Sequence, residues 1–218
     1  HELRTPLSLM QAQLELFSAE HPDVLPETAD FLRLLREQTE RMTQMTKTLL
    51  EMSELKMVPC TDRIELAPMV EELFADLAPL AEKSGIILES TGDGVFTGSD
   101  TLIYRLLYNL TENAIRYNRP GGTVRIAVTH EEGQLIIRVA DTGCGIPEQY
   151  RDSIFQPFFR ADKSRSRENG GVGLGLSLVW EIVALHGGEI RVKESSERGT
   201  TMEVKFPGEA IIDCGGCI

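Results

Sequence analysis

From Leu3 the apolar residues Leu3, Leu7, Met10, Leu14 and Phe17 recur in steps of four, three, four and three, which lays a heptad seam along one helix face. Pro22 and Pro26 break that pattern. A second seam then runs through Phe31, Leu35, Met42, Met45, Leu49 and Met52, with Gln38 its one polar interruption. Two such helices cannot cover their own seams. The pattern therefore predicts a two-helix hairpin over residues 1–55 that pairs with a second copy into a four-helix bundle, making the protein a homodimer.

Around Leu55 to Asp62 the helical period lapses, and residues 56–61 are predicted as a linker. Beyond it helices and strands alternate. Short strands are expected at Ile64 to Leu66 and Ile86 to Glu89, with a helix from Pro68 to Lys83 between them. Ser99 is placed to cap a helix reaching about Tyr117, with Leu102, Leu106, Leu110 and Ala114 on its buried face. Strands Thr123 to Thr129 and Gln134 to Ala140 flank a Glu131-Glu-Gly133 turn. After a long irregular stretch, Leu174 to Leu185 reads as a helix stopped by Gly187-Gly188, and Ile190 to Lys193 pairs with Thr201 to Phe206. Residues 62–208 thus predict an α+β sandwich, a mixed sheet with helices on one face, and 209–218 a mobile tail.

Composition narrows the partners. With 218 residues and 41% hydrophobic content the chain has enough apolar mass for a core. Lys plus Arg number 22 against 34 for Asp plus Glu, a net charge of −12, so nucleic acid is not an expected partner. No apolar run approaches the roughly 20 residues that span a bilayer, and no signal-peptide pattern is present. The chain is expected to be soluble as it stands. It opens on His1 without an initiator Met, and its first helix would start at its own key residue; an upstream segment is therefore expected. The four cysteines, Cys60, Cys144, Cys214 and Cys217, are too scattered for a disulfide framework and fit a reducing compartment. Cys214 and Cys217 have thioredoxin-like or half-zinc-site spacing, but they follow the last strand with no second ligand pair nearby, so an inert tail is the expectation.

Four segments carry chemistry. Asn109 and Asn113 stand one helical turn apart, so both amides share a face; turned toward a site they can hold Mg²⁺ and phosphate oxygens. Arg116 and Tyr117 follow on the same helix, a cation for phosphate and a ring for a base. Asp141 ends a strand ahead of Gly143 and Gly145, where a buried carboxylate can accept from an adenine amino group while the glycines admit close backbone approach. Gly171, Gly173, Leu174 and Gly175 lead into a helix whose N-terminal N–H groups suit phosphate. No Walker Lys-Ser/Thr and no dinucleotide fingerprint accompany them. Between these loops lies Phe155-Gln-Pro-Phe158-Phe159 and then a charged run with Arg160, Lys163, Arg165 and Arg167, which reads as a lid anchored by aromatics and bearing cations for a triphosphate. At the other end His1, Thr5, Ser8 and Ala12 form a stripe away from the seam, so His1 faces water.

The order of these motifs resembles that of sensor histidine kinases over nearly the whole chain. His1 to Pro6 looks like the family's phosphoacceptor motif, Asn109 to Asn113 like its asparagine box, Asp141 to Gly145 and Gly171 to Gly175 like its two glycine boxes, Phe155 to Phe159 like its phenylalanine box, and Gly199-Thr200 like its last ATP-site motif. By that resemblance residues 62–208 have the Bergerat ATP fold shared with gyrase, Hsp90 and MutL, with ATP and Mg²⁺ as cofactors. Those ATPases carry a catalytic Glu where this chain has Asn109. The implied activity is ATP-dependent phosphorylation of His1, with Glu2 orienting the imidazole, followed by transfer to an aspartate of a response regulator. An imidazole of ordinary pKa, about 6.5, is mostly neutral at pH 7 and so competent as a nucleophile. Thr5 resembles the position that orients water in dephosphorylation of the regulator, which adds a phosphatase activity to the expectations. The resemblance also implies a cytoplasmic domain whose parent is anchored in a bacterial inner membrane through the upstream region. An ATPase without kinase activity would need a base at position 109 and would not need His1-Glu2; a Ser/Thr kinase of the anti-sigma type would lack the helical hairpin.

Overall fold

A computed structural model describes residues 4–22, 24–159 and 173–207. The chain divides into two compact units, His1–Glu54 and Leu55–Ile218. The predicted tail at 209–218, with Cys214 and Cys217, lies outside the described residues.

The first unit is a helical hairpin of α1 (Arg4–Glu20) and α2 (Pro26–Glu54). Pro26 begins α2, a position that costs no intrahelical hydrogen bond and suits the fixed proline φ. Inside the hairpin Leu7 is buried together with Thr39 and Thr48. Hydroxyls on that inner face are satisfied within their own helix, Thr39 Oγ1 donating to the Leu35 carbonyl at 2.8 Å and Thr43 Oγ1 to that of Thr39 at 2.9 Å. Across the hairpin Arg36 donates to Ser18 Oγ at 3.2 Å. Of the predicted seams, Phe31 is 59%, Met42 54% and Leu49 47% exposed, whereas Leu7, expected on the first seam, is turned into the hairpin.

The second unit begins with β1 (Asp62–Glu65), α3 (Leu66–Ser84), β2 (Ile87–Thr91), β3 (Val95–Gly98) and α4 (Asp100–Arg116). It continues with β4 (Thr123–Glu131), β5 (Gln134–Asp141), α5 (Gly175–Leu185), β6 (Glu189–Ser196) and β7 (Gly199–Pro207). Five strands form a sheet in the order β2-β4-β5-β7-β6; β2 runs parallel to β4 and the other pairs are antiparallel, so the sheet is mixed. β1 and β3 make a separate antiparallel pair. Strand β3 had no expectation behind it, because Asp-Gly-Val-Phe-Thr-Gly-Ser is too short and glycine-rich to show an alternating period. Ser99 does occupy the N-cap position of α4, but its side chain makes no capping bond.

One sheet face carries Val124, Ile126 and Val128 of β4, Leu135, Ile137 and Val139 of β5, and Met202, Val204 and Phe206 of β7, all buried against the helices. α4 answers with Leu102, Leu106, Leu110 and Ala114, and α5 with Leu178, Val179, Ile182 and Val183. At roughly 1.5 to 3 kcal/mol for each fully buried large apolar side chain, this layer is the main source of the unit's stability. Its consequence for function is directional: α4 and α5 each have one face committed to the sheet, which fixes what their other faces and ends present.

The opposite sheet face is charged and centred on Glu203, whose side chain is 1% exposed. Arg138 Nε reaches it at 2.7 Å and Arg191 Nη2 at 2.6 Å, with Lys193 at 3.5 Å and Lys205 at 3.9 Å. Burial pushes its carboxyl up, but hydrogen bonds from Arg138 and Arg191 outweigh that and hold it down at about 2. The cover is a single layer of cationic side chains with water beyond, so the carboxylate is paired rather than sealed from solvent. A folded-state pKa depressed below the ordinary 4.5 gives stability that is complete above that value and lost as pH falls toward 2. Glu203→Gln is therefore expected to lower the melting temperature at pH 7 and to flatten its decline between pH 4.5 and 2. Thermal unfolding across that range checks this; parallel acid limbs in the two proteins would show that Glu203 is not the group responsible.

Candidate active site

The site is assembled where β5, α4, α5 and the β6–β7 turn converge. Asp141 closes β5 and its Oδ1 accepts two backbone N–H groups, from Gly143 at 2.8 Å and from Thr200 at 3.1 Å. Burial raises the Asp141 pKa above the ordinary carboxylate value, and these two N–H donors only partly offset it. A folded-state pKa raised in this way means that the charged form is held at a cost to stability above that pKa.

The glycines are required by close approach. A Cβ on Gly143 would lie 2.3 Å from the Tyr117 carbonyl oxygen and 2.9 Å from Asp141 Oδ1. Gly145 has φ +74° and backs onto the Ser196 carbonyl. Cys144 N–H donates to the Tyr117 carbonyl at 3.3 Å, which ties the loop to the C-terminal end of α4. Ile146 N–H donates to Ser195 Oγ at 2.7 Å, and Ser195 Oγ lies 3.1 Å from Thr200 Oγ1. The first glycine loop is thus stitched on one side to α4 and on the other to the β6–β7 turn.

The two asparagines meet the second glycine loop. Asn109 Nδ2 donates to the Arg105 carbonyl at 2.7 Å, which turns Oδ1 outward. A Cβ on Gly175 would lie 2.8 Å from that Oδ1 and 3.9 Å from Asn113 Nδ2, so the start of α5 sits directly on both amides. Leu174 is the N-cap of α5 and contributes no side-chain capping bond; its carbonyl takes the Leu178 N–H at 3.0 Å. The first N–H groups and the positive dipole end of α5 accordingly point away from the sheet core beside Asn109. Gly173, φ +80°, accepts from the Phe158 N–H at 2.8 Å. Phe158 itself has φ +65°, a left-handed conformation that is costly for an aromatic residue. Phe159 packs its ring 5.5 Å from that of Tyr150. Both flanks of the predicted lid are therefore pinned to one point.

Of the residues singled out in the sequence, Asn109, Asn113, Asp141, Gly143, Gly145, Gly173, Leu174, Gly175 and Thr200 come together at this end of the unit. Tyr117 joins them through its carbonyl, and its side chain is 46% exposed. Arg116 pairs with Glu112 at 2.9 Å along the flank of α4. Thr5 lies exposed on α1 in the other unit. His1, Glu2, Arg160, Lys163 and Gly171 lie outside the described residues. Ser195 escaped the sequence reading: Glu-Ser-Ser-Glu-Arg-Gly reads as an ordinary polar turn, and only the strand pairing puts its hydroxyl beneath the first glycine loop.

Comparison with known proteins agrees with this geometry. Residues 98–210 match the family of histidine kinase-, DNA gyrase B- and HSP90-like ATPases, and residues 1–57 match the His kinase A phospho-acceptor domain. The chain belongs to the first of these families, and the two modules in this order make it the core of a two-component sensor histidine kinase. It is 33% identical over 213 residues to the sensor histidine kinase RppB of Synechocystis sp., covering 95% of this chain and 47% of that protein. It is 33% identical over 217 residues to the sensor histidine kinase WalK of Bacillus subtilis, covering 95% of this chain and 35% of that one. Among solved structures the mycobacterial sensor histidine kinase MprB aligns with a TM-score of 0.58 at 26% identity, over 69% of this chain and 99% of that one. The chain spans about half or less of the length of these curated relatives.

Asp141→Asn separates the two roles of the carboxylate. The amide oxygen can still accept from Gly143 and Thr200 while the cost of the buried charge disappears, so the variant is expected to melt no lower than the parent at pH 7. Its preference for adenine over guanine nucleotides is expected to fall about tenfold, the value of one directional hydrogen bond. Differential scanning calorimetry and nucleotide competition measure the pair; unchanged base preference would remove Asp141 from base recognition.

Proposed function

We propose that this chain autophosphorylates His1 from ATP and passes the phosphoryl group to an aspartate of a response regulator. The observation that carries the reading is the seating of the α5 N-terminus on Asn109 and Asn113, one turn from the loop organised by Asp141. Phosphate and base subsites then lie side by side on one unit. Both described backbone bonds to Asp141 fall on Oδ1, which leaves Oδ2 to accept from the adenine amino group. Gly173, Leu174 and Gly175 offer backbone N–H groups to the phosphates, and Tyr117 its exposed ring to the base edge. Arg160 and Lys163 of the lid segment and Gly171 of the second glycine loop complete the phosphate side, with Arg116 contributing a nearby positive charge.

Asn109 and Asn113 fit Mg²⁺, because their amide oxygens are hard neutral donors suited to an ion that keeps several waters and shares phosphate oxygens. When bound, the ion neutralises charge on the β- and γ-phosphates. In transfer, the bond between the γ-phosphorus and the β,γ-bridging oxygen breaks and a P–N bond forms at His1. Glu2 takes the hydrogen bond of the other ring nitrogen and offsets the charge that develops on the imidazole. Thr5, one turn on, is the residue for orienting the water that hydrolyses the regulator's aspartyl phosphate, releasing inorganic phosphate in a separate phosphatase reaction. Within the parent protein this core is cytoplasmic, held at a bacterial inner membrane by a region upstream of His1; no helix among the described residues is long and apolar enough to cross a membrane.

The test is labelled ATP. The full chain and a version extended upstream should both gain an acid-labile, base-stable phosphoryl group, and His1→Gln should abolish it while retaining ATP binding. Undiminished incorporation in His1→Gln would overturn the assignment.

Dimerisation through the hairpin rests on the exposed seam and on a shallow groove of about 350 Å³ lined by Met10, Gln13, Leu14, Phe17, Leu32 and Leu35. Its lining is almost wholly apolar, as a surface for a second hairpin requires and a nucleotide site does not. Each seam Leu or Met buried there contributes roughly 1.5 to 3 kcal/mol. Leu49→Glu is expected to shift sedimentation toward monomer with ATP affinity nearly unchanged; a wild-type chain that sediments as a monomer at high micromolar concentration would refute the bundle.

A further inference from the structure

His186 is fully buried at the C-cap of α5, and its two ring nitrogens are both committed. Nδ1 lies 2.8 Å from the Ile182 carbonyl, which can only accept, and Nε2 lies 3.0 Å from the Ser99 backbone nitrogen, which can only donate. The partners therefore fix the neutral tautomer with hydrogen on Nδ1 and a lone pair on Nε2. Burial lowers the imidazole pKa, in keeping with that neutral state. The ring is walled by Phe96 at 5.7 Å and Phe206 at 6.0 Å between centroids, and Gly98 leaves it room: a Cβ there would stand 2.8 Å from His186 Cδ2.

Ser99 is the N-cap of α4, and its own hydroxyl caps nothing. The bond from its N–H to His186 therefore joins the first residue of α4 to the last turn of α5. At the other end of the same helix pair, Asn109 meets Gly175. From Ser99 to Asn109 is ten residues and from Gly175 to His186 eleven, so the two contacts lie about 15 Å and about 16 Å apart along their helices at 1.5 Å rise per residue. The helices run antiparallel between them. The hydrophobic driving force along such a pair is non-directional, whereas a buried hydrogen bond has one geometry.

We propose that His186 is a positioning residue for phosphate binding: by holding the Ser99 N–H it sets the register of α5 on α4 and so places the Gly173–Gly175 amides beside Asn109 and Asn113. This inference rests on the nucleotide site proposed above and makes a prediction that site alone does not. The base side, Asp141 with Thr200, hangs from β5 and β7 and not from α5. Loss of register should therefore weaken phosphate binding and spare the base.

The experiment measures ATP and adenosine binding to the full chain by NMR titration, for wild type, His186→Leu and His186→Gln, with folding followed by circular dichroism. In His186→Leu, which removes the acceptor and orphans the Ser99 N–H, ATP affinity should fall about tenfold while adenosine affinity holds within twofold. His186→Gln carries a carbonyl oxygen able to take the same N–H and should recover most of the loss. Should His186→Leu not fold, His186→Gln decides alone: a ratio of ATP to adenosine affinity near the wild-type value supports the proposal, and a tenfold fall overturns it. Equal loss of both ligands in folded His186→Leu, or no loss of either, also overturns it. A wild-type chain that binds neither ligand refutes the nucleotide site itself and is told apart from failure of the positioning role by that fact.

Discussion

One carboxylate oxygen organises the nucleotide end of this protein. Asp141 Oδ1 takes N–H groups from two loops that are 57 residues apart in sequence, at Gly143 and Thr200, and each loop is anchored elsewhere: the first to the Tyr117 carbonyl, the second through Ser195. Its raised pKa is the cost of placing a charge where solvent is scarce. A neutral residue of the same shape would satisfy the backbone equally well. The crowding that excludes a side chain at Gly143 follows from the same close approach.

The two units solve opposite problems. The sheet unit buries its apolar layer within a single chain and covers its outer face with the Glu203 lattice. The hairpin is unfinished. It spends threonines and Leu7 on its inner face and leaves Phe31, Met42 and Leu49 outside, where they serve only if another apolar surface meets them. Division of labour follows from this contrast, with assembly assigned to the helical unit and nucleotide chemistry to the sheet unit.

Much of this was legible in the sequence because periodicity and motif spacing are local. The face Leu102, Leu106, Leu110 and Ala114, the pairing of β6 with β7 and the glycine loops were all visible as patterns within a dozen residues. What escaped was non-local. Glu203 sits in Thr-Met-Glu-Val-Lys, an unremarked alternating strand, and becomes the hub of four cations only once β5, β6 and β7 lie side by side. His186 lies between a predicted helix and the glycines that stop it and drew no reading of its own, because its partner is 87 residues earlier. Arg116 was legible as a cation on the same helix as the asparagines, and its i,i+4 pair with Glu112 emerges once that helix is formed.

The identity of residue 109 completes the physical picture. Its side-chain nitrogen donates to the Arg105 carbonyl one turn back, and that bond decides which end of the amide is presented to the start of α5. A glutamate or aspartate has no hydrogen to give. It would set acceptor against acceptor at Arg105 and would direct negative charge at the place where phosphate is to bind. The amide thus does two things a carboxylate cannot: it orients itself by donation, and it offers a neutral oxygen to a metal or to water without being able to accept a proton from that water. Position 109 thus holds a polar group that stays neutral, with no carboxylate to serve as a base for hydrolysis.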